Sequence, residues 1–137
     1  MEGLKLPKRL AGLRVLVVDD DADTRELAGL MIRVAGGSPT LASTLAAAMD
    51  VFEVLSPDVI VSDIRMPGTN DGTDFIKLVR GSRRRDVPAI AISGNSSQVE
   101  IRRAIDAGFD AYLVKPLTVR MLVDAIADAA QLRTVTA

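Results

Sequence analysis

The chain has no cysteine, no histidine and no tryptophan. Disulfides, Cys/His zinc sites, thiol nucleophiles and His-based catalytic triads are excluded together. Any chemistry has to come from carboxylates, hydroxyls, lysine or a bound metal ion. Aromatic residues make up 3% of the chain, so the core must be mostly aliphatic. Positive charge is not in surplus either: 17 basic side chains stand against 18 acidic ones, a net charge of −1. Domains that wrap nucleic acid usually carry a clear basic excess, so direct DNA or RNA binding is not expected. There is no long apolar run, and the stretch Val15–Val18 ends abruptly in three aspartates. That suits neither a signal peptide nor a membrane span. A cytoplasmic protein without membrane contact is the expectation.

What is present fits one domain. The length is 137 residues, and 48% of them are hydrophobic, enough for a single packed core. Four short apolar runs recur, Val15–Val18, Val59–Val61, Ala89–Ile92 and Ala111–Val114. They are continuous rather than alternating, as in strands buried on both faces of a parallel sheet. A fifth strand is expected through Thr40–Ala42, opened by Pro39, which suits an edge. Helical stripes lie between the runs. Leu27, Leu30, Met31 and Val34 form one, and Leu45, Ala48, Met49 and Phe52 another. Met121, Leu122, Ala125, Ile126 and Ala129 form a third, with Phe75–Val79 and Ile101–Ile105 weaker. Gly36-Gly37, Ser56-Pro57 and Gly108 are stop signals, and Ser43 and Asp71 are expected N-caps. Strand and helix alternating five times predict an α/β three-layer sandwich, (βα)5 and flavodoxin-like, with a parallel five-stranded sheet in order 2-1-3-4-5. Residues 1–12 read as a lead-in segment, 13–132 as the domain, and 133–137 as a frayed tail.

Sites in doubly wound sheets form at the carboxyl ends of the strands. There stand Asp19, Asp20 and Asp21, then Asp63, then Ser93 with Gly94, then Lys115 with Pro116. Close carboxylates repel one another unless a hard cation sits among them. Mg²⁺ favours oxygen ligands and is often held by one or two carboxylates plus phosphate oxygens. A carboxylate can also attack phosphorus to give an acyl phosphate. The transferring group then needs cations and hydrogen-bond donors around its oxygens, which Lys115, Ser93, the Gly94 N–H and the metal would supply. A glycine at 94 would leave access to the phosphorus open.

Four pieces in order carry a family resemblance: Val15-Leu16-Val17-Val18-Asp19-Asp20-Asp21, Ser62-Asp63-Ile64-Arg65-Met66-Pro67, Ile92-Ser93-Gly94 and Tyr112-Leu113-Val114-Lys115-Pro116. From about Leu13 to Ala130 the chain resembles the receiver domains of bacterial response regulators. The resemblance implies that Asp63 is the phosphoacceptor. Asp20 and Asp63 would be direct Mg²⁺ ligands, Asp19 would assist through water, and the Arg65 backbone carbonyl would complete the set. Lys115 matches the lysine on the phosphoryl oxygens. Ser93 matches the hydroxyl that turns inward to bond them, and Tyr112 the aromatic switch behind it. Lys115-Pro116 resembles a peptide that is cis in the family. The donor would be a phosphohistidine on a histidine kinase or a histidine phosphotransfer protein. The face formed by the fourth helix, fifth strand and fifth helix would then shift toward a downstream protein partner. Family members often pair through that face, so a homodimer is also allowed. The expected role is a switch that catalyses only its own phosphorylation and dephosphorylation. One departure is visible: three residues, Gly68, Thr69 and Asn70, lie between Pro67 and Asp71-Gly72, one more than the common pattern.

Blander readings stand beside these. Asp21 is the aspartate of the triplet best suited to a purely structural role, and Arg83-Arg84-Arg85 reads as a solvated loop. The lead-in Arg9–Arg14 resembles the joint before the receiver of a hybrid kinase, which would relay phosphate to a phosphotransfer protein. Asp19-x-Asp21 fits the signature of aspartate-dependent phosphatases, but that leaves Asp63 and Lys115 unexplained. A non-phosphorylated pseudo-receiver would be expected to lack one of Asp20, Asp63, Ser93 or Lys115.

Overall fold

Residues Val15 to Val18 are all buried, and along them side chains alternate between two cores. Leu16 and Val18 join one cluster, Val15 and Val17 the other. The computed structural model describes residues 8–65 and 72–136, without the side chains of 132–136. The strands are β1 (Arg14–Val18), β2 (Ser38–Ala42), β3 (Val59–Asp63), β4 (Ala89–Ser93) and β5 (Ala111–Val114). The helices are α1 (Ala22–Val34), α2 (Leu45–Leu55), α3 (Gly72–Arg80), α4 (Gln98–Ala107) and α5 (Val119–Thr136). The sheet is parallel throughout, in order β2-β1-β3-β4-β5, as the sequence predicts. One core sets Phe52, Phe75, Ile76, Val79 and Ala104 of α2, α3 and α4 against the sheet. The other sets Ala28, Met31, Ile32, Leu122 and Ile126 of α1 and α5 against the opposite face. β2 is an edge strand and runs from Ser38, two residues before the expected start.

Several expectations are corrected. α1 buries Ala28, Met31 and Ile32, while Leu27, Leu30 and Val34 are about half exposed. Two stripes with helical spacing overlap at Met31, and the one through Ala28 and Ile32 faces the sheet. Thr44, not Ser43, caps α2, its hydroxyl accepting from the Ala47 N–H. Arg84 is not simply solvated: its guanidinium donates to the Pro57 carbonyl and lies 6.0 Å from the Phe52 ring centre. α5 continues to Thr136, into the stretch expected as a tail. The expected N-cap Asp71 and the motif residues Met66 and Pro67 lie outside the described residues. The lead-in contributes to the core. Leu10 is fully buried, its N–H bonds the Ala35 carbonyl, and Arg9 pairs with Asp124 of α5.

Among the described residues no helix is long and apolar enough to cross a membrane.

Candidate functional site

The parallel register brings the ends of β1, β3 and β4 level, with Val18 opposite Ser62 and Asp63 opposite Ile92. Each strand therefore delivers its polar terminus to the same rim. Asp63 and Ser93 are the last residues of their strands and remain buried. Asp19 follows β1 directly and is fully buried.

Three carboxylates converge there. Asp19, Asp20 and Asp63 each place an oxygen within 4.8 Å of the others'. Lys115 reaches in from the end of β5, with Nζ 2.8 Å from Asp63 Oδ2 and 3.1 Å from Asp19 Oδ2. Only the Asp63 contact has hydrogen-bond alignment, so Asp19 Oδ2 is buried without a hydrogen-bond donor. Burial raises the Asp19 carboxyl above its ordinary value, and the nearby Asp63 charge adds to this; the Asp21 N–H and Lys115 oppose it without cancelling it. For Lys115, burial favours the neutral amine, but the Asp63 hydrogen bond and the close negative charges of Asp63 and Asp19 outweigh it, and the ammonium is held above its ordinary range. The rim is thus acid-rich, with one cation shared between two of its three carboxylates. An all-oxygen donor set with an orphaned buried oxygen fits a hard divalent cation.

The backbone around Asp63 is tightly held. Its Oδ1 accepts the Arg65 N–H at 2.9 Å, and its carbonyl accepts the Ser62 hydroxyl at 3.0 Å. The first residue of α3 lies against the same carbonyl: a Cβ on Gly72 would sit 2.1 Å from the Asp63 oxygen and 2.8 Å from Ile64 Cα. Glycine is required here by close backbone approach. Asp19 is anchored too, its backbone carbonyl accepting from the Arg25 guanidinium at 2.8 Å.

The second wall is the loop from β4 to α4. The Ser93 hydroxyl is not hydrogen-bonded to the carboxylates; it accepts the Asn95 N–H at 3.1 Å. The Tyr112 hydroxyl donates to the Asn95 carbonyl at 2.5 Å. The two residues expected to act as a switch therefore hold opposite sides of one residue. Gly94 faces open space, with nothing within 4 Å of where a Cβ would lie. The Lys115–Pro116 peptide is cis, as the resemblance implies. Asp21 stands apart from the cluster: it caps α1, accepting from the Thr24 N–H and hydroxyl, and these bonds lower its pKa.

Sequence reasoning missed three contributors. Gly72 carried a signal only as a glycine near a helix start. Arg25 lies one turn into α1, and no motif announces that its guanidinium turns back to the Asp19 carbonyl. Glu100 was missed entirely; its carboxylate pairs with Arg65 at 2.7 Å.

The fold and this rim define a doubly wound α/β domain with an acidic site at its strand ends. The sequence matches the response regulator receiver domain over residues 15–127, and the chain belongs to that family. The fold of the chemotaxis protein CheY4 of Vibrio cholerae is similar, with a TM-score of 0.81 at 26% identity over 87% of this chain and 99% of that one. The phosphate regulon transcriptional regulatory protein PhoB of Escherichia coli K12 is 32% identical over 80% of this chain, which spans 48% of PhoB. An uncharacterized 14.6 kDa protein in the sodA1 3′ region of Leptolyngbya boryana is 37% identical, covering 79% of this chain and 82% of that protein. The chain is a receiver domain of the two-component response regulator type, a phosphorylation-dependent signalling switch.

Proposed function

We propose that Asp63 is the phosphoacceptor of this switch. The observation that carries the reading is the Lys115–Asp63 contact at 2.8 Å beside a three-carboxylate cluster. Asp19, Asp20 and Asp63 would hold Mg²⁺, joined by the Arg65 backbone carbonyl. When bound, the ion neutralises the crowded carboxylates and the charge on the incoming phosphoryl group. An Asp63 oxygen attacks phosphorus as the donor's P–N bond breaks, and the departing imidazole takes up a proton. The product is an aspartyl phosphate on Asp63. Lys115 follows the negative charge from the carboxylate to the phosphoryl oxygens. The Ser93 hydroxyl leaves the Asn95 N–H to donate to those oxygens, with the Gly94 N–H beside it. Its departure loosens the loop that Tyr112 grips, and the surface of α4, β5 and α5 responds.

Family membership implies a histidine kinase or phosphotransfer protein as donor in general. A recess of about 110 Å³ lined by Thr24, Leu27, Ala28, Met31, Lys115 and Leu117 borders the site, giving a donor protein an apolar seat beside the acceptor. The phosphatase alternative needs Asp21 in the chemistry, and Asp21 is engaged as the cap of α1.

The test is intact mass after incubation with Mg²⁺ and acetyl phosphate. A phosphoryl adduct is expected in the native protein and absent in Asp63→Asn or with a chelator. Small donors do not load every receiver, so beryllofluoride binding serves as the second arm. Failure of both arms would end this reading.

A further inference from the structure

The first turn of α4 carries Ser97-Gln98-Val99-Glu100, the signature of a capping box. In that motif the hydroxyl of the first residue bonds the backbone N–H of the fourth, and the fourth side chain returns to the first N–H. Here only half of it forms. The Ser97 hydroxyl accepts the Glu100 N–H at 3.2 Å. The Ser97 N–H instead donates to Asn95 Oδ1 at 2.8 Å. Glu100 is thereby released to reach across the site mouth to Arg65, Oε1 lying 2.7 Å from Nη2. Its other oxygen faces Arg103 at 3.9 Å, beyond hydrogen-bond reach. Glu100 is mostly enclosed, at 13% side-chain exposure, while Arg65 is 59% exposed. The carboxylate is fixed and the guanidinium is the movable partner.

Arg65 is also two residues from Asp63 and hydrogen-bonded to it through its backbone. We propose that the Arg65–Glu100 pair is an electrostatic latch between the acceptor loop and α4, opened when the phosphoryl charge on Asp63 draws the Arg65 guanidinium away. This rests on Asp63 being the acceptor. A doubly charged group on Asp63 outcompetes a single carboxylate for a guanidinium, which binds phosphate oxygens well. Glu100 then loses its one hydrogen-bonded cation, and the α4 turn that carries it is no longer tied to β3. The latch thus opposes phosphorylation and links it to α4. Arg65 and Glu100 are positioning residues and form no bond in the transfer.

A double-mutant cycle on beryllofluoride affinity in saturating Mg²⁺, read by calorimetry, tests this. Glu100→Gln should tighten binding about two- to fivefold, the range expected of a pair exposed on one side. Arg65→Ala should abolish that gain, so that Arg65→Ala and the double variant bind equally. If Glu100→Gln tightens binding as much in the Arg65→Ala background, Glu100 acts by distant charge repulsion and the latch is overturned. No effect of Glu100→Gln in the native background overturns it as well. Native protein that fails to bind beryllofluoride removes the acceptor reading itself, a result distinct from an additive cycle in a protein that binds.

Discussion

Asp19 is fully buried and carries an oxygen that no donor bonds. Its carboxyl is raised above the ordinary 3.8 mainly by burial, so ionising it works against the folded state. A group with a raised folded-state value and a negative charged form loses stability as pH climbs from its unfolded value through the folded one. Asp19→Asn keeps the acceptor for the Asp21 N–H and removes the charge. In chelator, the variant should therefore melt above the native protein near neutral pH, with the gap closing as pH falls toward 3.8. In Mg²⁺ the order should narrow or reverse, because the native cluster gains a cation that the variant holds poorly. Thermal melts across pH, with and without Mg²⁺, check both. Stability given up at one residue is retained where chemistry needs it. The carboxylates, Ser93 and Lys115 were legible in the sequence because each polar residue follows an apolar run. Glu100 was not, since no local pattern encodes a contact 35 residues away, as between Arg65 and Glu100; Arg25 was not, because nothing in a helical arginine's type says that it turns back to the Asp19 carbonyl.

Strand ends were easier to read than helix faces. In β1 and β3 nearly every residue is buried, and a continuous apolar run is unambiguous. α1 offered two overlapping stripes: of the expected Leu27, Leu30, Met31 and Val34 only Met31 is buried, and the other three are about half exposed. Ala28 and Gly29 lie buried where the helix packs close to the sheet: a Cβ on Gly29 would already lie 3.2 Å from Leu41. The same economy of space governs α3. Gly72 holds its first turn against the Asp63 carbonyl, so closely that an added Cβ would sit 2.1 Å from that oxygen, and no single-residue pattern announces it. Gly72→Ala has to push α3 away from β3 or displace Asp63. We expect a loss on the order of 1–3 kcal/mol, the usual cost of overpacking. The more telling readout is beryllofluoride affinity, which should fall more than that of a variant equally destabilised elsewhere, for example at Val79. Equal losses would mean that α3 moves and the acceptor does not.

At the scale of the molecule, order and handedness followed from five repeats of strand and helix, since parallel crossovers admit few windings. The participation of the lead-in did not, because one leucine has no period. Leu10 closes the core beneath α1 and α5, held by the Ala35 carbonyl and flanked by the Arg9–Asp124 pair. Leu10→Ala should cost about 2–5 kcal/mol. That is a large share of the ~5–15 kcal/mol typical of a domain, and urea unfolding would read it as a lower midpoint at unchanged slope. A negligible loss would mean that the segment only rests on the domain. With one tyrosine and no tryptophan in the chain, near-ultraviolet emission arises from a single ring. That ring's hydroxyl is bonded to the carbonyl of Asn95, whose N–H is held by Ser93. The protein therefore carries a built-in, label-free fluorophore bonded to the loop between β4 and α4, and a change in that one hydrogen bond can be followed as brightness in real time.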